Sequence, residues 1–291
     1  MKEVQNHFIN LPDSKQVAGR KLVIGKKPLV MGILNVTPDS FSDGGRFYNV
    51  DKGVQHALLM ASQGADIIDI GGESTRPGAK KLEVSEELDR VMPVLERLKG
   101  KLNIPISIDT RNSEVAKKAC ETGAAVINDV SSLNNDEKIA RVAKEFNTFL
   151  ILMHMRGSPE TMQSDIHYDD LIGDISNVLL KAVDKALSYG VSKDRIILDP
   201  GIGFGKTTEN NFSILKNIPA LKKLGFPVQI GASRKSFIGK TFNLPVEERL
   251  EGSLAAAMYA VLHGVDIVRV HDVLPTVRVL KMIEKISEAD T

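Results

Sequence analysis

Short apolar segments rich in valine and isoleucine recur along the chain, and each is followed by a longer segment with helical spacing of its apolar residues. This alternation predicts βαβ units and a parallel sheet. Eight segments are predicted strands: Leu29–Val36, Asp66–Gly72, Ile104–Thr110, Ala125–Val130, Thr148–His154, Arg195–Pro200, Pro227–Ser233 and Ile267–Val273. Eight are predicted helices: Asp51–Gln63, Ser85–Leu98, Ser113–Thr122, Asp136–Phe146, Asp170–Tyr189, Asn210–Leu224, Glu247–Leu262 and Pro275–Ser287.

The size of the repeat favours a closed barrel. Residues 29–287 comprise 259 residues, about 32 for each unit, which is the size of one strand with its crossover helix. An open doubly wound sheet is the rival fold, but eight units without a Pro-, Gly- or Ser-rich linker favour an α/β fold of the (β/α)8 TIM barrel type. We expect residues 29–291 to form this barrel domain. Residues 1–28 are predicted to form a hairpin extension across the bottom of the barrel, at its N-terminal mouth.

Composition narrows the classes of partner. The 38 basic and 37 acidic residues give a net charge of +1, so the chain has no basic field for nucleic acid. The single cysteine, Cys120, excludes an internal disulfide framework and a multi-thiolate metal site. The apolar stretches of the chain are shorter than the ~18 residues of a membrane span, and the N-terminal residues do not resemble a signal peptide. We therefore expect a cytoplasmic protein with neither membrane nor nucleic-acid partners.

Polar side chains occur at the C-terminal end of every predicted strand. These residues are Asn35, Asp69, Asp109, Asn128, Asp129, His154, Asp199, Ser233, Arg234, Lys235, Arg269 and His271. The C-terminal ends of barrel strands are where reacting groups lie in this fold class. The alternation of side chains along a strand also places Arg269 and His271 on the same face. The pattern predicts a ring of polar groups around one mouth.

The types of residue in this ring indicate its ligand. An anion such as phosphate or diphosphate would suit one group: Asn35, Arg76, Lys235, Arg269 and His271. The carboxylates Asp109 and Asp199 would repel an anion, but they can bind the N–H donors of a heterocycle such as a pterin. No cluster of His, Asp and Glu has the spacing of a tight metal site. We expect instead Mg²⁺ shared with the diphosphate and held by Asn35.

Several longer motifs extend over nearly all of the chain after residue 29. They are Met31–Gly45, Asp69–Gly78, Ile106–Thr110, Ile127–Asp129, Met153–Met155, Leu198–Gly201, Gly203–Lys206, Ser233–Ser236 and Arg269–Asp272. This set resembles the motifs of dihydropteroate synthase. The resemblance implies a transferase of folate biosynthesis that joins 6-hydroxymethyl-7,8-dihydropterin diphosphate to p-aminobenzoate and releases diphosphate and 7,8-dihydropteroate. It also implies ionisation of the pterin diphosphate, attack by the arylamine, and competition by sulfonamides.

The resemblance further assigns roles to matching positions. The implied catalytic residues are Asp109, Lys235, Arg269 and His271. Those implied to bind the pterin are Asp109, Asn128, Met153, Asp199, Lys235 and Arg269. The diphosphate would contact Asn35, Arg269 and His271, with the metal at Asn35. The implied p-aminobenzoate residues are Thr75, Arg76, Pro77, Phe204, Lys235 and Ser236, and the loop with Pro38, Asp39 and Phe41 would close over them.

Two other functions are compatible with a pterin-binding barrel. One is the pterin-binding domain of a corrinoid-dependent methyltransferase, which would not need the long first loop or residues 233–236. The other is a non-catalytic binding barrel, which would release no diphosphate from the two substrates. A homodimer is expected through the apolar helix at residues 252–262, although packing of this helix on the barrel explains the same pattern.

Overall fold

Eight parallel strands form the central sheet of the computed structural model, which describes residues 7–9, 22–37, 46–74, 78–79, 81–157, 160–163 and 166–289. The described strands are β1 (His7–Ile9), β2 (Leu22–Ile24), β3 (Leu29–Asn35), β4 (Ile67–Gly71), β5 (Ile106–Asp109), β6 (Val126–Asp129), β7 (Phe149–Met153), β8 (Ile196–Asp199), β9 (Gln229–Ile230) and β10 (Ile267–Val270). The sheet order is β8-β7-β6-β5-β4-β3-β10-β9. A bridge between Leu198 and Val228 joins its two ends, so the predicted barrel is confirmed.

The helices lie outside the strands and alternate with them along the chain. Those described are α1 (Arg46–Ser62), α2 (Val84–Leu98), α3 (Ser113–Thr122), α4 (Lys138–Phe146), α5 (Leu171–Ser188), α6 (Thr208–Lys216), α7 (Ile218–Lys222), α8 (Ser236–Phe242), α9 (Leu250–Leu262) and α10 (Val273–Glu288). A large apolar cluster fills the space between strands and helices. Val30 and Leu34 of β3 point outward into this cluster. Successive side chains of a strand point to opposite faces, so Leu29 and Met31 point into the barrel.

The N-terminal hairpin closes the lower end of the barrel. β1 and β2 pair antiparallel, with His7 opposite Ile24. Ile24 is fully buried in the same apolar cluster as Ile67 and Phe149, the first residues of β4 and β7. This packing confirms the predicted position of the hairpin. The domain boundary between residues 28 and 29 stays a prediction.

Three elements differ from the sequence-based prediction. The predicted helix Asn210–Leu224 is two helices, α6 and α7, because Pro219 has no N–H to continue the hydrogen-bond pattern. The predicted strand Pro227–Ser233 pairs only over the two residues of β9. After β9 the chain turns through Arg234, whose φ of 55° ends the extended conformation, and enters α8, a helix that the apolar pattern of the sequence does not predict.

Cys120 is a packing residue on α3. It is buried between this helix and the barrel, and burial raises the pKa of its thiol to about 12. The side chain is therefore a protonated thiol and a poor nucleophile at neutral pH. Among the helices that the structure describes, none is long and apolar enough to span a bilayer.

Candidate active site

The C-terminal ends of the barrel strands surround one pocket of about 330 Å³, its open mouth included. Twelve residues line it: Asp109, Asn128, Val130, Met153, Asp199, Gly201, Ile202, Phe204, Gln229, Gly231, Lys235 and Arg269. All six residues predicted to bind a pterin are among them. They come together because they occupy strand ends, or loops just after them, that meet at the same end of the barrel.

Arg269 is the centre of a buried ion-pair network at the floor of this pocket. Its Nε donates to Asp69 Oδ2 at 2.6 Å and its Nη2 donates to Asp109 Oδ2 at 2.7 Å. Asn128 Nδ2 also donates to Asp69 Oδ2, at 3.1 Å. Burial lowers the pKa of the Arg269 guanidinium, but the two carboxylates outweigh this and raise it. Arg269 is thus a permanent cation with a fixed orientation.

Asp109 combines burial with a nearby cation. Burial raises the pKa of its carboxyl to about 7, although Arg269 acts in the opposite direction. The neighbouring carboxylate of Asp69 adds to the rise because two negative charges at short range disfavour each other. Asp109 therefore changes its charge within the physiological pH range, which is the property expected of a group that responds to charge on a bound ligand.

Asp199, at the end of β8, lines the same pocket as Asp109 and is oriented by two hydrogen-bond donors. The Gly201 N–H donates to its Oδ1 at 2.7 Å, and Gln229 Nε2 donates to its Oδ2 at 3.0 Å. Burial raises the pKa of Asp199, and these hydrogen bonds oppose the rise. Each carboxylate oxygen keeps a free lone pair, so Asp199 can grip two parallel N–H donors.

Lys235 and Phe204 form a cation–π pair at the rim. The Lys235 ammonium lies 3.9 Å from the centre of the Phe204 ring. Burial lowers the pKa of Lys235 to about 8, and the charge of Arg269 adds to this effect. The backbone at Phe204 is fixed by Lys206. Its Nζ donates to the Phe204 carbonyl at 2.9 Å and lies 2.9 Å from His154 Nδ1.

His271 and Asn35 stand at the rim above Arg269. Burial lowers the pKa of His271 to about 4, so the imidazole is neutral at physiological pH and would bind an anion by donating a hydrogen bond. Its Nδ1 lies 3.1 Å from Ser233 Oγ. The Asn35 amide makes no hydrogen bond to any residue that the structure describes. Its oxygen is the type of ligand that Mg²⁺ prefers, so this residue fits the predicted metal role.

Two members of the predicted ring point elsewhere. Asp129 accepts hydrogen bonds from the N–H groups of Ser131 and Leu133, so it stabilises the loop after β6. Arg234 forms a bidentate ion pair with Asp272, at 2.9 and 2.6 Å. The expectation that both belong to the mouth is wrong, because the parity of β6 and the turn after β9 direct them away from the pocket.

Other predicted site residues lie beside the pocket or outside the described residues. Ser236 is the exposed first residue of α8, next to Lys235. Those outside the described residues are Pro38, Asp39, Phe41, Thr75, Arg76 and Pro77. Within the described part of the chain, no group of three or more His, Cys, Asp or Glu side chains has the geometry of a metal site.

Comparison with known proteins identifies the family. The model of the pterin binding enzyme family matches residues 31–271. A dihydropteroate synthase of Synechocystis is 49% identical over 259 residues, which are 89% of this chain and 90% of that protein. The chain belongs to the dihydropteroate synthases. These enzymes are transferases, so the comparison favours this function over a methyltransferase domain or a non-catalytic barrel.

Solved dihydropteroate synthases have the same fold. A Clostridium difficile enzyme crystallised in the presence of pteroic acid has a TM-score of 0.86 and 45% identity, covering 91% of this chain and 99% of that one. A Xanthomonas albilineans enzyme with 4-aminobenzoic acid has a TM-score of 0.88 and 42% identity, covering 97% of this chain and all of that one. Both confirm the barrel architecture of this dihydropteroate synthase.

Three buried groups of this dihydropteroate synthase had no predicted role in the site, although Asp69 was in the predicted ring. Asp69 anchors Arg269, Gln229 anchors Asp199, and Lys206 anchors the Phe204 loop. The alternation in β4 places Asp69 on the inner face with Ile67, so its position was available from the sequence. Gln229 and Lys206 also contact residues 30 or more positions away along the chain, Asp199 and His154, and no local pattern reveals these contacts.

The ionisation of Asp109 predicts a pH dependence. If the carboxylate form supports turnover, kcat/KM for the pterin diphosphate should fall about tenfold per pH unit below the pKa of about 7, because the ionised fraction falls at that rate. Steady-state kinetics between about pH 5 and pH 9 measure this. Asp109→Asn is the control, and its residual activity should lose the acidic limb. An acidic limb that is unchanged in Asp109→Asn would contradict the assignment.

Proposed function

We propose that the pocket holds the pterin of 6-hydroxymethyl-7,8-dihydropterin diphosphate with its diphosphate at the rim, ready for attack by p-aminobenzoate. The observation that carries this proposal is that two oriented carboxylates, Asp109 and Asp199, line the same pocket as two cations, Lys235 and Arg269. Two further polar side chains, Asn35 and His271, lie at its rim. One ligand with N–H donors at one end and an anion at the other satisfies both sets.

The pterin would lie between Met153 and Arg269. Asp199 would grip the adjacent amino and imino N–H groups of the ring, since both of its oxygens are already fixed. Asn128 and Asp109 line the same pocket and would contact the remaining polar edge. Lys235 would donate to the ring from the rim.

The diphosphate would contact Asn35, Arg269 and His271. A neutral imidazole and a fixed guanidinium both donate hydrogen bonds, so they stabilise the negative charge that grows on the leaving group. Bound Mg²⁺, held by Asn35, would neutralise part of the diphosphate charge as a Lewis acid. None of these groups needs to act as a nucleophile.

Departure of the diphosphate breaks a C–O bond and leaves a cation delocalised into the pterin ring. Asp109, buried beside the ring site, would stabilise this cation electrostatically, and its effect is large because water is excluded. The amine of p-aminobenzoate then forms the new C–N bond and loses a proton to solvent. Stabilisation of charge that exists only in the transition state raises turnover more than it raises substrate affinity.

The p-aminobenzoate would bind at the rim against Phe204, Lys235 and Ser236. Its ring would pack on Phe204, and its carboxylate is the right charge for Lys235. Thr75, Arg76 and Pro77 are proposed to complete this subsite, and Pro38, Asp39 and Phe41 to cover it. Sulfonamides, which share the shape of p-aminobenzoate, are proposed to compete for the same subsite.

Diphosphate release in the presence of both substrates tests this function. The expected result is release that requires Mg²⁺ and p-aminobenzoate, yields dihydropteroate in equal amount, and is inhibited by a sulfonamide competitively with p-aminobenzoate. Diphosphate release at the same rate without p-aminobenzoate would refute the condensation. Uncompetitive or absent sulfonamide inhibition would refute the shared subsite only.

One prediction concerns the metal. Asn35→Ala should raise the Mg²⁺ concentration needed for half-maximal activity about tenfold or more, because one of the few protein ligands is lost. A titration of activity with Mg²⁺ measures it. Asn134→Ala, at an exposed asparagine of the described chain, is the matched control. Equal Mg²⁺ requirements in the two variants would remove Asn35 from the metal site.

Another prediction concerns assembly in the cytoplasm, where we place the protein. The neighbouring helices α9 and α10 expose Met258, Tyr259, Leu262, Met282 and Ile286. We propose that this apolar surface forms a homodimer. Sedimentation should give a dimer for the native chain and a monomer for the double variant Leu262→Glu/Met282→Glu. Leu187→Glu on α5 is the control, and a monomeric native chain would contradict the proposal.

A further inference from the structure

Gln229 is a buried amide in the wall of the pocket. It is 1% exposed and lies on β9, between β8, which carries Asp199, and β10, which carries Arg269. Its neighbours Val228 and Ile230 pack into the cluster between strands and helices, so Gln229 points into the barrel. Gln229 has no role in the proposed condensation.

The two ends of the Gln229 amide differ in their surroundings. Its Nε2 donates to Asp199 Oδ2 at 3.0 Å. Its Oε1 is buried and accepts no hydrogen bond from any residue that the structure describes. A buried carbonyl oxygen without a donor is unfavourable, because it loses its hydrogen bonds to water and gains none in return. In a residue that lines a ligand pocket, such an atom indicates a donor on the ligand.

The donors of the ligand can be counted. The amino and imino edge of a pterin presents three N–H bonds: one on the ring nitrogen and two on the exocyclic amino group. A bidentate carboxylate such as Asp199 accepts one from each nitrogen, which leaves the second amino N–H without a partner. Gln229 Oε1, carried by a side chain that lines the same pocket and is bonded to Asp199, is the acceptor that we assign to this N–H.

We propose that Gln229 is a specificity-determining residue of the pterin subsite. Its Nε2 orients Asp199, and its Oε1 accepts the second N–H of the exocyclic amino group. The consequence is discrimination in favour of heterocycles that carry this amino group. The inference rests on the proposed binding of the pterin in this pocket.

The test is direct binding by calorimetry with two probes, 6-hydroxymethylpterin and the same ring without its amino group. Gln229→Met keeps the length of the side chain and removes its hydrogen bonds, and Gln229→Leu is a second variant if the first does not fold. The native chain should prefer the amino compound. In the variant, affinity for the amino compound should fall about tenfold, the loss of one hydrogen bond. Affinity for the compound without the amino group should fall several-fold less, because this compound loses only the orientation of Asp199 by Gln229.

The outcomes separate this inference from the function on which it rests. If the native chain binds neither probe, or Asp199→Asn binds the pterin as well as the native chain, the proposed pterin site itself fails. If the pterin binds and depends on Asp199 but the variant at Gln229 matches the native chain, only the role of Gln229 fails. An equal loss for both probes would also overturn it, since Gln229 would then act only by orienting Asp199.

Discussion

Asp109→Asn is expected to lower the turnover number about 100- to 1000-fold, while affinity for the pterin diphosphate falls less than about tenfold. Asparagine keeps the size and the polarity of the side chain but removes its charge. The charge matters most when diphosphate leaves and the pterin becomes cationic, so the loss should appear in kcat and not in substrate binding. The buried position of Asp109 excludes the water that would otherwise screen this interaction.

Steady-state kinetics and calorimetric binding of the pterin diphosphate measure the two quantities separately. Asp184→Asn, at an exposed carboxylate on α5, is the matched control and should behave as the native chain. Thermal unfolding shows whether the Asp109→Asn barrel remains folded. An unchanged turnover number, or a loss confined to binding, would contradict the proposed role of the carboxylate.

Arg269→Met should have the second large effect, on both stability and activity. The variant leaves the buried carboxylates of Asp69 and Asp109 without their cation, which costs about 3–5 kcal/mol of unfolding free energy. It also removes a donor from the diphosphate site, and kcat/KM should fall at least about 100-fold. Denaturant unfolding and steady-state kinetics measure the two effects.

Two further experiments separate stability from catalysis at Arg269. Arg269→Met/Asp69→Asn should recover part of the lost stability, because one unpaired charge is gone, but it should recover no activity. Without Arg269, which lowers the pKa of Asp109, this pKa should lie above its native value of about 7, so the stability deficit should shrink as the pH falls towards about 7 and level off below it, where Asp109 is protonated in both chains. A deficit that is independent of pH, or full activity of Arg269→Met, would contradict the network.

The strand positions of the site could be predicted because a barrel strand has a simple rule. Alternation puts Asp109, Asn128, Asp199 and Arg269 on the inner face, and their place at strand ends puts them at one mouth. The same rule failed after β9, where the strand ends early and Arg234 turns to Asp272. It failed because a strand ends where its backbone hydrogen bonds to the neighbouring strand end, and β9 pairs with β10 over two residues only.

Electrostatic properties required the tertiary structure. The sequence identifies His271 as a titratable group at a strand end, but its neutral state follows from burial beside Arg269. Likewise, the pKa of Asp109 depends on Arg269 and Asp69, which are distant in sequence and meet only in the folded barrel. Desolvation and charge proximity are properties of packing, so no local pattern contains them.

The sequence by itself determined the number of βα units, the inward-facing positions and the motifs of the family. These are encoded locally, by the period of apolar residues and by continuous segments such as Asp69–Gly78. Only the tertiary structure decided which polar groups pair, that Gln229 Oε1 accepts no hydrogen bond from the described residues, and how Lys206 supports Phe204. Hydrogen bonds and ion pairs need atoms within about 3 Å, and closure of the barrel is what brings these distant strands to that range.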